Sequence, residues 1–277
     1  MELLRSRQPA PSVVGTRRLG SRGDPLDLRH PDLHAAARVA PAPAVTGAGQ
    51  RAADSVPRLA LFDLDHTLLS GDSDVLWCEF LIAEGLLDRA TFEPRNREMA
   101  DRYARGLATP AEFCGFYAQT LAGARPDDWD DLRARFLRDV IAPRLPASAR
   151  ALVQGHRQAG DRVILTTATN RYLVELTARE LGIDDLLATE IEVIDGAFTG
   201  RNTGVLNMRD GKLVRLHEWL SAVGLPRSTL ADATFYSDSS NDLPLLLAVG
   251  HPVVVDPDPS LAERARQHGW RLLHLDR

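Results

Sequence analysis

Apolar and polar positions divide the chain into stretches with different patterns. Residues 1–57 are rich in Pro, Ala, Gly and Arg and have no sustained helical or strand period. Such a composition buries too little apolar surface to offset chain entropy, so we predict that this segment is disordered. It reads either as a flexible tail or as an over-extended start of the reading frame, and it lacks the apolar core of a secretory signal.

Residues 75–150 have apolar side chains at spacings of three and four, the period of an amphipathic helix. Thr109 precedes Pro110, and Glu112 follows three residues after the threonine, which is typical of a capping box at a helix start. No strand pattern interrupts this stretch. We predict a helical segment over residues 75–150.

Short apolar runs occur on both sides of this helical segment. RLALFDLD from Arg58 has the pattern of a strand, and after residue 150 the strand patterns DRVILTTA, ATFYSD and PVVVD alternate with helical ones. Residues 186–200, LLATEIEVIDGAFTG, have the pattern of strand and turn material. Strands spaced by helices of this length favour a parallel sheet with right-handed crossovers. We predict a doubly wound α/β core over residues 58–74 and 151–277, with the helices inserted after the first strand.

Polar residues end three of the predicted strands. Asp63 and Asp65 follow LALF, Thr166 and Thr167 end VILTT, and Asp238 ends TFYSD. Ligands of open α/β sheets bind beyond the carboxyl ends of the strands, so these side chains should lie together. Because side chains alternate along a strand, the first two aspartates share one side and repel each other, and a positive group is expected between them.

Two positive groups suit this cluster. Lys212 is the only lysine in the chain and stands after Gly211 at a predicted helix start. The carboxylates of Asp63, Asp65 and Asp238 are oxygen ligands suited to Mg²⁺, which also bridges to phosphate oxygens. The pattern therefore predicts a site that handles phosphate and contains Mg²⁺.

Four motifs in chain order then resemble the haloacid dehalogenase superfamily of phosphatases, in its phosphoserine-phosphatase-like branch, subfamily IB. They are FDLDHT (62–67), TTAT (166–169), Gly211-Lys212 and SDSSNDLPLL (237–246). The D-x-D-x-T pattern alone is weak, but four motifs at predicted strand ends and a helix start are specific. The resemblance implies a Rossmann-like core and a helical cap of the C1 type over residues 75–150.

The resemblance also implies a role for each matching residue. Asp63 is the nucleophile that forms an aspartyl-phosphate, Asp65 is the general acid and base, and Lys212 holds nucleophile and phosphate together. The implied phosphate contacts are Thr167, Ala168 and Asn241. The implied metal residues are Asp63, Asp238, Asp65 through its backbone carbonyl, and Asp242, which with Asn241 would support the metal waters or the phosphate.

Several of these assignments have alternatives. Aspartate is common where strands end, so Asp63 and Asp65 could be a turn-forming pair. Thr166 rather than Thr167 could be the phosphate contact. Asp242 could simply be a negative charge at a helix N-terminus, where the helix dipole favours it. The chain could be an inactive member of the fold that serves as a binding module, although no catalytic position is lost. A dehalogenase of this fold would lack the second aspartate.

Substrate choice rests on the cap and on two acidic residues. In the phosphoserine phosphatases an acidic residue nine positions after the nucleophile helps to hold the substrate amine. That offset gives Asp72 here, with Asp74 close by. TTATN differs from the phosphoserine pattern of a serine followed by glycines, and the whole pattern more closely resembles a bacterial group that includes histidinol-phosphatases. The implied substrate is a small amine-bearing phosphate ester, L-histidinol phosphate ahead of phosphoserine.

Composition limits the remaining functions. A net charge of −5 gives no electrostatic reason to expect nucleic acid or an anionic membrane as a partner. The two cysteines are too few for a disulfide framework or a thiolate metal site, which favours a reducing, cytoplasmic compartment. The most apolar run, residues 243–255, is interrupted by proline and glycine and is too short to span a bilayer. We expect a monomer or homodimer.

Overall fold

The computed structural model of the protein describes residues 57–276. The disorder predicted for residues 1–57 lies outside the described residues, apart from Pro57. The strands are β1 (Leu59–Phe62), β2 (Arg162–Asn170), β3 (Asp185–Ile194), β4 (Ala197–Thr203), β5 (Thr234–Ser237), β6 (His251–Val255) and β7 (Arg271–Leu273). The helices are α1 (Ser73–Ala83), α2 (Arg89–Ala104), α3 (Pro110–Ala118), α4 (Asp130–Phe136), α5 (Ala147–Gln158), α6 (Arg171–Glu180), α7 (Asp210–Ala222), α8 (Leu243–Ala248) and α9 (Pro259–His268).

The strands form one seven-stranded sheet in the order β4-β3-β2-β1-β5-β6-β7. Every neighbouring pair is parallel except β3 and β4, which form an antiparallel hairpin at one edge. The predicted doubly wound α/β fold is therefore confirmed. The prediction treated residues 186–200 as undivided strand and turn material and did not identify β7 or α9.

The alternation of side chains along β1 explains why helices cover both faces of the sheet. All four residues of β1 are buried. Leu59 and Leu61 join an apolar cluster that includes Leu216 of α7, whereas Ala60 and Phe62 join the cluster on the opposite face. A central parallel strand that is apolar on both sides needs a helical layer on each side, which the crossover helices supply.

The chain between β1 and β2 is helical, and a third apolar cluster ties this insertion to the core. Cys78 of α1 and Phe113 and Tyr117 of α3 pack there with Met208, which precedes α7. The contact brings helices of the insertion beside the carboxyl ends of the strands. The boundaries 75–150 stay a prediction, and the helix α5 runs across residue 150.

Within residues 57–276, none of the helices combines the length and the apolar character that a membrane span requires.

Candidate active site

The carboxyl ends of the central strands open onto one cavity. Asp63 follows β1, and its backbone N–H donates to the carbonyl of Tyr236 in β5 at 3.0 Å. Asp238 follows β5 at the same edge of the sheet. The acidic side chains that line the cavity are Asp63, Asp65, Asp72, Asp238 and Asp242.

Lys212 lies between two of these carboxylates. Its Nζ donates to Asp63 Oδ1 and to Asp242 Oδ2, both at 2.7 Å, and its side chain is only 3% exposed. Burial alone would lower the pKa of Lys212, but the carboxylates of Asp242 and Asp63 outweigh it and raise that pKa. Lys212 is therefore a permanent cation against Asp63, and its role in holding the nucleophile and the phosphate together stays a prediction.

Asp242 is held by a second donor as well. Ser237 Oγ donates to Asp242 Oδ2 at 2.8 Å, the same oxygen that accepts from Lys212. In this structure the carboxylate thus fixes the lysine ammonium, and its implied role as a Mg²⁺ ligand stays a prediction.

One hydroxyl joins the nucleophile candidate to Asp238. Thr67 Oγ1 lies 3.1 Å from Asp63 Oδ2 and 2.9 Å from Asp238 Oδ1, and it accepts from the backbone N–H of Asp238 at 3.0 Å. The two carboxylates therefore face a shared space. Burial, against which the charge of Lys212 acts, raises the pKa of Asp63 well above its ordinary range, so the site has more buried negative charge than one lysine balances.

This charge balance is the observation that fits Mg²⁺. Among residues 57–276, no three or more His, Cys, Asp or Glu side chains converge where they could hold a metal ion. Mg²⁺ uses only one or two protein carboxylates and keeps several waters, so Asp63 and Asp238 with substrate phosphate are a sufficient donor set.

Asp65 is held by donors on both of its carboxylate oxygens. Ser73 donates to Oδ1 through its N–H at 2.7 Å and through its Oγ at 2.6 Å. Thr169 and Thr167 donate to Oδ2 through their hydroxyls at 2.9 Å and 3.3 Å. Four donors fix this carboxylate at the cavity wall, beside Asp63.

The two threonines that end the predicted strand VILTT face different ways. Thr166 Oγ1 accepts from the buried amide of Asn207 at 3.0 Å, on the side away from Asp65. Thr167 Oγ1 is the hydroxyl that reaches Asp65. The geometry favours Thr167 over Thr166, while the phosphate contact itself stays a prediction. Ala168 lines the cavity beside it.

Asp72 and Asp74 occupy different environments. Asp72 lines the cavity and caps α1, because Oδ1 accepts from the N–H of Val75 at 3.0 Å. Burial and the nearby carboxylate of Asp65 raise the pKa of Asp72 to about 7. Asp74 is 2% exposed, is not part of the cavity wall, and contacts Thr169. The structure brings the first to the site and places the second behind it.

Asn241 links the site to the helical insertion through an arginine. Its Oδ1 accepts from Arg209 Nε at 3.0 Å, and the same guanidinium donates to the carbonyl of Ala108 at 3.3 Å. Arg209 has a φ of 53°, in the left-handed region. Asn241 lies in the cavity wall, but its predicted phosphate contact is untested by this geometry.

Sequence reasoning gave no role to several residues of the site. Thr67 closes the D-x-D-x-T pattern, and its position four residues after Asp63 was the available signal. Ser73 and Thr169 had only their polarity as a signal. Tyr103 and Phe113 of the helical insertion also line the cavity. The sequence gave no signal for them, because contacts from such an insertion follow no fixed spacing.

Comparisons with known proteins agree with this geometry. The haloacid dehalogenase-like hydrolase family matches residues 60–247. The chain is 36% identical over 218 residues to a histidinol-phosphatase of Neisseria meningitidis serogroup C, which covers 78% of this chain and 98% of that one. It is 31% identical over 281 residues to a phosphoserine phosphatase of Mycobacterium tuberculosis, covering 98% and 88%.

A solved structure of similar fold is a protein of unknown function from Bordetella pertussis Tohama I. It is 43% identical, has a TM-score of 0.75, and covers 79% of this chain and 99% of that one. A phospho-aspartyl intermediate analogue of phosphoserine phosphatase, 17% identical with a TM-score of 0.59 and covering 80% and 95%, shares the fold. This chain belongs to the haloacid dehalogenase-like hydrolase family and is a phosphatase of that family.

Proposed function

We propose that the protein is a Mg²⁺-dependent phosphomonoester hydrolase that works through an aspartyl-phosphate, and that its substrate is L-histidinol phosphate. The observation that carries the proposal is the buried pairing of Asp63 with Lys212 beside Asp65, at one cavity. This arrangement supplies a nucleophile, a fixed cation and an acid or base within one site.

The chemistry assigns each group a step. A carboxylate oxygen of Asp63 attacks phosphorus while the bond from phosphorus to the substrate oxygen breaks, and Asp65 gives that oxygen a proton. Asp65 then takes a proton from the water that attacks the aspartyl-phosphate, which releases inorganic phosphate. Lys212 orients Asp63 and offsets phosphate charge throughout.

Asp63 and Asp238 would hold Mg²⁺. When bound, the ion supplies positive charge to the phosphate oxygens and to the crowded carboxylates.

The cavity wall supports an amine-bearing substrate that has no carboxylate. Five of its residues are aspartates, and none of the arginines within residues 57–276 lines it. Lys212 is already paired with two carboxylates. A substrate ammonium would find a partner in Asp72, whereas a substrate carboxylate would face unfavourable charge.

Aromatic side chains from the insertion support the imidazole-containing substrate. Tyr103 of α2 and Phe113 of α3 line the cavity, and their ring centroids are 4.1 Å apart. Rings of this kind offer a flat apolar surface on which an imidazole can pack. The high coverage of the Neisseria histidinol-phosphatase is consistent with this choice.

Phosphoserine is the second candidate substrate. It is favoured by the Mycobacterium phosphoserine phosphatase, whose match extends over 98% of this chain. Its carboxylate is the feature that the acidic cavity wall disfavours.

The test measures phosphate release from L-histidinol phosphate, L-phosphoserine and p-nitrophenyl phosphate, with Mg²⁺ and with EDTA, using Asp63→Asn as the blank. We expect Mg²⁺-dependent hydrolysis with the highest kcat/KM on histidinol phosphate, and none in the blank. Equal weak rates on all three substrates would retain the phosphatase chemistry and refute the substrate. A rate in the Asp63→Asn variant equal to wild type would refute the nucleophile.

A second variant tests the amine contact. Asp72→Asn should raise KM for histidinol phosphate and leave KM for p-nitrophenyl phosphate, which has no amine, nearly unchanged. An unchanged KM for histidinol phosphate would remove Asp72 from the substrate site.

A further inference from the structure

An arginine beside the cavity bonds both to the site and to the helical insertion. Arg209 Nε donates to Asn241 Oδ1 at 3.0 Å, and a terminal nitrogen of the same guanidinium donates to the carbonyl of Ala108 at 3.3 Å. Asn241 lines the cavity, whereas Ala108 lies between α2 and α3 and is 2% exposed. One rigid planar group therefore joins two parts of the chain that are far apart in sequence.

The backbone of Arg209 is strained. Its φ of 53° and ψ of −127° lie in a region that residues with a Cβ rarely adopt and that glycine adopts readily. Arg209 stands directly before α7, and its carbonyl accepts from the N–H of Lys212 at 3.1 Å. Strain of this kind persists only where the surroundings hold the residue, and the two side-chain bonds do so. An arginine at a position that suits glycine points to a function of its side chain.

The bond to Arg209 fixes the orientation of the Asn241 amide. A guanidinium has only donors, so the amide oxygen must face it and the amide nitrogen must face the other way. Within residues 57–276, no protein group accepts a hydrogen bond from that nitrogen, whereas the backbone N–H of Asn241 donates to Ser239 Oγ at 3.2 Å. The side-chain N–H groups are therefore left for the cavity. Because the cavity wall contains five aspartates, a donor at this point matters for a bound phosphate.

We propose that Arg209 is a positioning residue that turns the amide nitrogen of Asn241 towards the cavity as a donor to phosphate. It does so when the insertion is docked, because the Ala108 carbonyl holds the same guanidinium. The inference rests on the proposed function and deepens it, since it explains how the predicted phosphate contact of Asn241 is set up. Phosphate binding and docking of the insertion then favour each other, because a coupling between two contacts acts in both directions.

The first test measures the binding of inorganic phosphate, which every phosphomonoesterase releases, by isothermal titration calorimetry in the presence of Mg²⁺. Asn241→Ala removes the donor and should raise Kd on the order of tenfold, the usual effect of one hydrogen bond to a charged group. Arg209→Gly should raise Kd by a part of that factor. Because glycine also relieves the backbone strain at this position, a loss of affinity in Arg209→Gly cannot come from new strain.

The double variant Arg209→Gly/Asn241→Ala decides whether Arg209 acts through Asn241. If it does, Arg209→Gly should have almost no effect on Kd once the Asn241 amide is gone. An equal factor in both backgrounds would mean that the arginine acts through Lys212 or through its charge alone, and it would overturn the proposal. An unchanged Kd in Arg209→Gly alone would overturn it as well.

A second arginine that bonds the insertion to the core provides the control. Arg125 Nη1 donates at 3.4 Å to the carbonyl of Asp195, which lies between β3 and β4, and neither residue lines the cavity. Arg125→Ala should leave Kd for phosphate unchanged. A loss equal to that of Arg209→Gly would mean that any bond between insertion and core has this effect, and it would overturn the specific role of Arg209.

Hydrogen exchange tests the link to the insertion without activity. The N–H groups of Leu107 and Ala108 donate to the Arg102 carbonyl. Inorganic phosphate, at a concentration that saturates each protein, should slow exchange of these two groups in the wild type and not in Arg209→Gly. Equal slowing in both proteins would overturn the coupling. If the wild type released no phosphate from esters above the Asp63→Asn blank, the proposed function would fail, and the calorimetric cycle would still decide the role of Arg209.

Discussion

Removal of the charge of Lys212 should expose the energetic cost of the buried carboxylates. In Lys212→Met, a side chain of similar length leaves Asp63 and Asp242 in a buried site without their shared cation. Because the two carboxylates share one cation, we count the loss of one positive charge and so one newly unpaired carboxylate rather than two. Removal of one partner of a buried ion pair costs about 3–5 kcal/mol.

Protonation sets an independent limit on this cost. A carboxyl has an ordinary pKa of about 3.9, and keeping it neutral in the folded protein at pH 7 costs about 1.4 kcal/mol of stability for each pH unit between the two values. The cost at pH 7 is therefore about 4 kcal/mol. The two figures agree. A raised carboxyl pKa carries no penalty below the ordinary pKa and the full penalty above the raised one. The deficit of Lys212→Met should therefore shrink to about 2 kcal/mol at pH 5.5.

The assay is urea unfolding followed by circular dichroism at pH 7 and pH 5.5, in EDTA so that no metal replaces the lysine. The matched control is Arg105→Met, which removes an ion pair with Asp101 whose N and O atoms are 3.2 Å apart and whose side chains are 65% and 62% exposed. Exposed pairs contribute about 0–1 kcal/mol, so this variant should unfold almost as the wild type does.

The double variant Lys212→Met/Asp242→Asn should recover at least half of the loss, because the amide still accepts from Ser237 without a charge. If Lys212→Met cost no more than Arg105→Met, or if its deficit grew as the pH fell, the reasoning on buried charge would be refuted.

Three further predictions follow from single contacts. Asp65→Asn should lower kcat/KM on histidinol phosphate by about 10²–10⁴ and on p-nitrophenyl phosphate much less, which steady-state kinetics on both esters would check. Burial raises the pKa of the Cys78 and Cys114 thiols to about 12. Iodoacetamide at pH 8 should therefore modify neither cysteine in the folded protein and both in urea, as measured by mass spectrometry. Rapid labelling of the folded protein would contradict this prediction. Gly211→Ala would bring a Cβ within 1.9 Å of the Leu206 carbonyl oxygen, next to Lys212, and should abolish activity. In the control Gly155→Ala the added Cβ has no neighbouring atom within 4 Å, and this helix substitution should raise thermal stability slightly. Equal activity of the two variants would contradict the close approach at Gly211.

The strands that position the site could be predicted because their apolar pattern is strong. LALF and VILTT are buried on both faces, and the aspartates and threonines that follow them lie at the same sheet edge as expected. β7 is three residues long, and two of the three are exposed, so it has no such pattern. The β3–β4 hairpin was predicted only as strand and turn material because the pattern of residues 186–200 gives no direction for its second half.

The site was less predictable where burial decides a role. Asp72 and Asp74 both follow the nucleophile motif with the same chemistry, and only the turn of α1 directs one to the cavity and the other behind it. Likewise, the three threonines of TTAT gave no indication that Thr166 contacts Asn207 whereas Thr169 contacts Asp65. Such choices depend on tertiary packing, which a sequence pattern does not record.

Lys212 is the only lysine of the chain, so its side chain is a single site for chemical footprinting. An acylating reagent reacts with a neutral, accessible amine, and this ammonium is 3% exposed and bonded to two carboxylates. Acylation of a lysine side chain therefore requires the cavity to open and the ion pairs to separate. The acylation rate at this one nitrogen would report how often the site opens, and its suppression by a bound phosphate ester would measure how firmly the substrate keeps it closed.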